Sequence, residues 1–98
     1  MKRRVRFRVT GRVQGVAYRA SAVDEARQDG VVGWVRNLPS GEVDGVVEGE
    51  ATAVDAFLAW AARGPWGARV ERVSRVDEEV TDGELERFEI RRWGDDRS

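Results

Sequence analysis

The 98-residue chain predicts a domain of the α+β class, in which two helices cover one face of an antiparallel sheet of four to five strands. Two observations predict this class. Several segments alternate apolar and polar residues with the period of a half-buried strand, and two segments between them have helical spacing instead. We expect residues 1–98 to form a single domain, with residues 1–3 and 94–98 as frayed ends.

The first strand is predicted over residues 4–10, where valine and phenylalanine alternate with arginine and threonine. A loop follows, and a helix is predicted from about residue 20 to residue 29, with Gly30 as its C-terminal stop. Asp24 and Glu25 are expected near the first turn of this helix, because acidic side chains stabilise the positive end of the helix dipole.

A hairpin comes next. The β-rich segments 31–37 and 42–49 are predicted strands, and the sequence LPSGE between them is a turn signal. Gly45 lies inside the second of these strands. A glycine in that position predicts either a bulge or a close approach of another part of the chain.

The second helix has the clearest pattern in the chain. Thr52 and Asp55 have the spacing of a capping box, with aspartate in place of the usual glutamate. Gly64 and Pro65 predict its end. The apolar residues that recur at i, i+3, i+4 and i+7 are Val54, Phe57, Leu58 and Ala61.

Two further strands complete the pattern. The segment ARVERVSRV (residues 68–76) has valines three residues apart, which predicts a strand with an irregularity. A last strand is predicted in ERFEIRRW (residues 86–93), with Phe88 and Ile90 facing the core. The resulting order, β-α-β-β-α-β with a short final strand, is that of the ferredoxin-like sandwich. Enzymes, RNA-binding domains and ligand sensors share this fold, so it leaves the function open.

The composition excludes several classes of partner and of catalytic site. The 17 lysines and arginines are balanced by 18 acidic residues, whereas a general nucleic-acid binder usually has a basic excess. The chain contains no cysteine and no histidine, which excludes disulfides, a Ser-His-Asp triad, a phosphohistidine and any imidazole metal site. We expect no cofactor and no metal, because the acidic runs at residues 77–79 and 95–96 lack a ligand pattern.

The same composition bears on location. No apolar run approaches the roughly 20 residues of a membrane helix, and the N-terminus lacks the apolar region of a signal peptide. We therefore expect a cytoplasmic protein with no membrane partner. Its size and balanced charge predict a monomer.

The stretch GRVQGVAYR (residues 11–19) joins the first strand to the first helix. Gly11 and Gly15 permit backbone conformations that turn several N–H groups inward, and such a nest at a helix N-terminus binds anions. The guanidinium of Arg19 could reach the same anion. From the pattern alone, a plain strand-to-helix connection with a surface arginine remains open, because short glycine motifs are common.

Together with GWVRN (residues 33–37), this stretch closely resembles the acylphosphatase signature, G-x-V-Q-G-V-x-[FY]-R followed by G-W-V-x-N. The resemblance extends from about Arg4 to Trp93. It implies that Arg19 and Asn37 are catalytic: Arg19 binds the phosphate and Asn37 positions the attacking water. It also implies a phosphate loop whose backbone N–H groups belong to Gln14, Gly15, Val16, Ala17, Tyr18 and Arg19.

The implied reaction is the metal-independent hydrolysis of small acyl phosphates to a carboxylate and inorganic phosphate. The leaving carboxylate needs no general acid, so positioning and charge stabilisation can suffice. The resemblance further implies that a phosphate oxygen of the substrate accepts the proton of the water. Two alternatives remain: a non-catalytic module that binds phosphate or carbamoyl phosphate, and an RNA-binding domain of the same fold. The RNA alternative needs exposed aromatic residues on the central strands, where the sequence predicts arginine and acidic residues, so we expect no nucleic-acid partner.

Overall fold

The computed structural model describes residues 1–80 and 83–94. Its five strands form one sheet in the order β4-β1-β3-β2-β5, and two helices pack on the face that carries the apolar core. The elements in chain order are β1 (Lys2–Arg12), α1 (Tyr18–Asp29), β2 (Val32–Asn37), β3 (Val43–Glu50), α2 (Ala51–Arg63), β4 (Arg69–Glu78) and β5 (Phe88–Ile90). The predicted fold class is thereby confirmed.

One strand pairing differs from the antiparallel expectation. β5 pairs with β2 in parallel, so the sheet is mixed. β4 lies at one edge of the sheet and runs antiparallel to β1. β5 runs in the opposite direction to β4 and lies beside β2 at the other edge, which makes its pairing with β2 parallel. Phe88 is buried as predicted, but the prediction that Ile90 faces the core is wrong, since 45% of Ile90 is exposed.

β1 is longer than predicted at both ends, because both of its neighbours extend beside it. Lys2 and Arg3 pair with Glu50 and Gly49 of β3, which differs from the expectation that residues 1–3 fray. Arg3 also donates hydrogen bonds to Asp55 and Asp77, at 2.8 and 2.9 Å. Of the other predicted frayed end, residues 95–98 lie outside the described residues.

The predicted irregularity in β4 is a β-bulge against β1. Thr10 pairs with Arg72 and Gly11 pairs with Val70, so Glu71 is the extra residue on β4. Gly11 has a φ of 122°, and a Cβ on it would lie 2.0 Å from the carbonyl oxygen of Arg69. A glycine is therefore required at the bulge, one residue before the end of β1.

Gly45 is explained by a close approach and not by a bulge. It pairs in register with Phe7 on one side and Val35 on the other. A Cβ at this position would lie 2.2 Å from the carbonyl oxygen of Trp34 and 2.8 Å from the ring of Phe7. The glycine makes room for the phenylalanine ring in the core.

Both helices begin differently from the prediction. α1 begins at Tyr18, and its first turn contains no acidic residue, so Asp24 and Glu25 lie beyond it. The predicted capping box of α2 is absent because α2 follows β3 directly, which places Thr52 inside the helix. The Ala51 N–H donates instead to the carbonyl of Met1, at 2.8 Å.

The apolar stripe of α2 is buried as predicted and supplies the centre of the core. Phe57 makes an edge contact with Phe7, with 5.6 Å between ring centroids, and contacts Phe88 at 5.2 Å. Burial of each such side chain contributes about 1.5–3 kcal/mol relative to exposure. Among the residues that the structure describes, neither helix is long and apolar enough to cross a membrane.

Candidate active site

A cavity of about 190 Å³ lies where the loop between β1 and α1 meets the end of β2. Cavities that take drug-sized ligands measure about 300–1,000 Å³, so this one suits a small molecule. It contains both predicted catalytic side chains, Arg19 and Asn37, which are far apart in sequence. The lining residues are Val13, Gln14, Gly15, Ala17, Tyr18, Arg19, Ala20, Asn37 and Ile90.

The loop backbone is shaped by two residues in the left-handed region. Gly15 has a φ of 76° and Ala17 has a φ of 60°. For an alanine this conformation costs about 1–2 kcal/mol, which the surrounding packing must offset. Val16, between them, packs its side chain against the core, so only its backbone is available to a ligand.

The N–H groups of this loop are free to bind. Within residues 1–80 and 83–94, the N–H groups of residues 15–19 find no hydrogen-bond acceptor. The N–H groups of Tyr18 and Arg19 in this set are also unpaired donors of the first turn of α1. An array of free donors at a helix N-terminus is an anion site.

Tyr18 fixes the end of the loop to the core. Its hydroxyl donates to the carbonyl of Ala61 at 2.7 Å, and its ring lies 5.2 Å from that of Trp60. Burial raises the pKa of the phenol, so Tyr18 stays neutral and serves as an anchor.

Arg19 follows Tyr18 on the first turn of α1 and is half-buried. In the described part of the chain its guanidinium has neither an ion-pair partner nor a hydrogen bond. A partly desolvated guanidinium without a counter-charge attracts an oxyanion and can donate to two of its oxygens.

Asn37 is the last residue of β2 and pairs with Val43. Its Oδ1 atom is buried and has no hydrogen-bond partner among the described residues. An unpaired buried polar atom costs about 1–3 kcal/mol, and such exceptions are typical of functional sites.

Sequence reasoning missed the side chain of Gln14. Only its backbone N–H was assigned to the site, yet its Nε2 donates to the carbonyls of Leu38 and Glu42, each at 2.9 Å. These acceptors are backbone groups of the hairpin, so no side-chain pattern could have indicated them.

Ile90 was also missed, because the alternating pattern of β5 assigned it to the core. The short strand places it instead at the mouth of the cavity, where it forms an apolar wall. Only the parallel pairing of β5 with β2 reveals this position.

A second, larger cavity of about 340 Å³ lies on the sheet face opposite the helices, among β1, β3 and β4. Two of its three lining arginines face acids: Arg6 contacts Asp44 at 3.1 Å and Arg8 lies 3.8 Å from Glu42. Trp34, on this same face, is only 5% exposed. In residues 1–80 and 83–94, the central strands of this face therefore present no exposed aromatic ring for base stacking.

Guanidiniums cover Trp34. Those of Arg36 and Arg91 each lie 5.0 Å from its ring, and that of Arg6 lies at 5.7 Å. The acids of the molecule are dispersed: among the described residues, no group of three or more could hold a metal ion. The 190 Å³ cavity is the better candidate active site because it combines free donors with an arginine that has no acidic partner.

Comparison with known proteins points to one family. A family model described as acylphosphatase matches residues 5–90. An acylphosphatase of Anaeromyxobacter dehalogenans is 54% identical over 88 residues, which cover 90% of this chain and 94% of that protein. The solved acylphosphatase of Bacillus subtilis superposes with a TM-score of 0.85 at 32% identity, covering 92% of this chain and 98% of that one. Full-length HypF, in a phosphate- and nucleotide-bound form, is similar over 96% of this chain but 13% of its own, with a TM-score of 0.83 and 26% identity.

Proposed function

The chain belongs to the acylphosphatase family of hydrolases, and on this premise we propose which of its residues hydrolyse the small acyl phosphate substrate. The loop N–H groups of residues 14–19 and the Arg19 guanidinium bind the phosphoryl group, and Asn37 holds the attacking water. One observation carries this proposal: free loop donors, an arginine without an acidic partner and an unpaired buried amide oxygen belong to one small cavity.

The loop and Arg19 have complementary tasks in binding. The backbone donors are fixed in direction by the left-handed residues Gly15 and Ala17, so they need no reorganisation when the phosphoryl group arrives. The guanidinium of Arg19 adds a full positive charge and can donate to two oxygens. Charge that develops on the transferring phosphoryl group is therefore spread over several donors.

Asn37 orients the nucleophile, which is a water molecule. A water held by its amide attacks phosphorus from the side opposite the acyl oxygen, the new P–O bond forms, and the bond to the acyl oxygen breaks. The carboxylate leaves with the electron pair, and a phosphate oxygen of the substrate takes the proton of the water. Holding the reactants in line is the main contribution of the protein.

This chemistry fits a chain without histidine or cysteine. A carboxylate is a good leaving group and departs without protonation, so no general acid is required. The positive charge that many phosphoryl-transfer enzymes take from Mg²⁺ comes here from Arg19 and the loop donors. We therefore expect turnover that persists in EDTA.

A non-catalytic binding module is the second candidate, favoured by the similarity to a small part of HypF. We propose catalysis instead, because Asn37 would have no task in a module that only binds phosphate. We further propose that residues 1–98 form one domain that acts as a cytoplasmic monomer, without nucleic-acid or membrane partners.

The test is phosphate release from acetyl phosphate or benzoyl phosphate, with and without EDTA. We expect turnover in both conditions, nearly abolished in Arg19→Ala and Asn37→Ala, while circular dichroism shows that both variants remain folded. Full activity in either variant would remove that residue from the mechanism. Phosphate binding without turnover on several acyl phosphates would favour the binding module.

A further inference from the structure

The loop and the hairpin that ends in Asn37 are separate pieces of chain. The loop continues from β1 into α1, whereas Asn37 lies at the end of β2, beside the turn into β3. Phosphate binding needs only the loop and Arg19, but hydrolysis needs Asn37 at a fixed distance from the bound phosphorus. A contact that sets this distance has to join the two pieces.

The side chain of Gln14 is such a contact. Its Nε2 donates at 2.9 Å to the carbonyls of Leu38 and Glu42, the first residues beyond the last ladder pair, Asn37 and Val43. Those two residues also close the hairpin, because the Leu38 N–H donates to the Glu42 carbonyl at 2.8 Å. Both acceptors are carbonyls, so the amide orientation is fixed: only the NH₂ group can face them.

We propose that Gln14 is a positioning residue, whose side chain sets the distance between the phosphate loop and the water held by Asn37. This inference rests on the function proposed above. It assigns the side chain of Gln14 a task in turnover but not in phosphate affinity. The loop has other anchors that keep its shape, namely buried Val13, half-buried Val16 and the Tyr18 contacts to α2.

The test is a set of variants with one matched control. Gln14→Met keeps the length of the side chain and removes its donors, and Gln14→Asn keeps the amide but shortens the reach. Gln28, which is exposed on α1, supplies the control Gln28→Met. Because a misplacement of about 1 Å can cost about 100-fold, we expect kcat to fall by about 10- to 100-fold in Gln14→Met and by less in Gln14→Asn. Inhibition by inorganic phosphate should change less than about threefold, in line with intact loop donors.

A double-mutant cycle with Asn37→Ala separates positioning from general damage. If Gln14 acts through Asn37, Gln14→Met should lower kcat by less than about twofold in the Asn37→Ala background, because the effects of coupled residues do not add. Equal fold-losses in both backgrounds, or a loss of phosphate affinity as large as the loss of kcat/KM, would overturn the proposal. Should Gln14→Met fail to fold, the same cycle with Gln14→Asn decides.

Wild-type behaviour distinguishes this proposal from the one on which it rests. No turnover by the wild type would overturn both. Normal wild-type turnover, with loss in Asn37→Ala but additive effects of Gln14→Met, would overturn only the role of Gln14. Gln28→Met should retain wild-type kcat and phosphate inhibition.

Discussion

Two arginines of the same chain, Arg19 and Arg36, show how differently this protein uses one residue type. Arg36 is buried, donates through Nε to Asp44 at 2.8 Å and lies over the ring of Trp34. Arg19 is half-buried at the mouth of a cavity and has no acidic partner among the described residues. The first holds the open face of the sheet together, and the second is available to a ligand.

Local charge balance, and not the count of basic residues, therefore locates the site. The chain is close to neutral, with 17 basic and 18 acidic residues, and most arginines of the open face are balanced by neighbouring carboxylates. An anion gains little binding free energy from a guanidinium that is already paired with a carboxylate. It gains most at Arg19, where free N–H donors add to the charge.

Removing the charge of Arg19 should have the largest effect. We expect Arg19→Ala to lower kcat/KM by about 1,000-fold or more, because an arginine that stabilises a phosphoryl transition state contributes on that scale. Arg27→Ala, at an exposed position of the same helix, should retain activity. Steady-state hydrolysis of benzoyl phosphate measures both. Similar losses in the two variants would mean that general charge, and not the site, governs the rate.

The partner of Arg36 should matter for stability instead. Asp44 is 1% exposed and serves both Arg36 and Arg6. Removing one partner of a buried ion pair costs about 3–5 kcal/mol, so Asp44→Asn should lower the free energy of unfolding by about 3 kcal/mol. Urea denaturation measures the loss. If stability is unchanged, the open-face ion pairs do not hold the sheet as described.

A smaller loss is expected for the anchor of the loop. Tyr18→Phe removes the hydrogen bond to the Ala61 carbonyl and leaves that acceptor buried, which costs about 1–3 kcal/mol. Thermal unfolding should show a lower Tm. For comparison, Trp66→Phe alters a side chain that is 98% exposed and should leave Tm within error.

The smallest expected effect is a gain in stability when Glu25 is replaced. Burial, and then the nearby carboxyl of Asp29, raise the pKa of Glu25 above its ordinary value of 4.5, so folding disfavours its ionised form. The stabilising contribution of the protonated form is present below pH 4.5 and is lost as pH rises through the raised pKa. Glu25→Gln should therefore stabilise the fold at pH 7 by about 0.5 kcal/mol, as expected for relief of an i,i+4 like-charge pair. Urea titrations at pH 7 and pH 4 check the sign, because the gain should shrink at pH 4.

Patterns with a strong local cause were predicted well. The stripe of α2, the glycine that ends α1 and the irregular β4 all follow from spacing and backbone preferences. The resemblance to a known signature, and not the pattern alone, singled out Arg19 and Asn37, and the fold brings both to one cavity.

Features that depend on distant backbone could not be predicted. The first N–H group of α2, that of Ala51, donates to the carbonyl of Met1. No capping motif in the sequence encodes this contact. The side chain of Gln14 binds two carbonyls of another element, and Ile90 reaches the cavity only because β5 pairs with β2 in parallel. In each case the partner is a main-chain group or a sheet edge, which leaves no trace in residue type.

The most direct test of the comparison is a titration of the ¹⁵N-labelled protein with inorganic phosphate, followed through its amide resonances by NMR. We predict that the largest shifts fall on the N–H groups of residues 14–19 and on the side-chain amide of Asn37. Largest shifts on the opposite sheet face, around Arg6 and Arg8, would contradict the account, because they would show that phosphate prefers arginines that are balanced by acids.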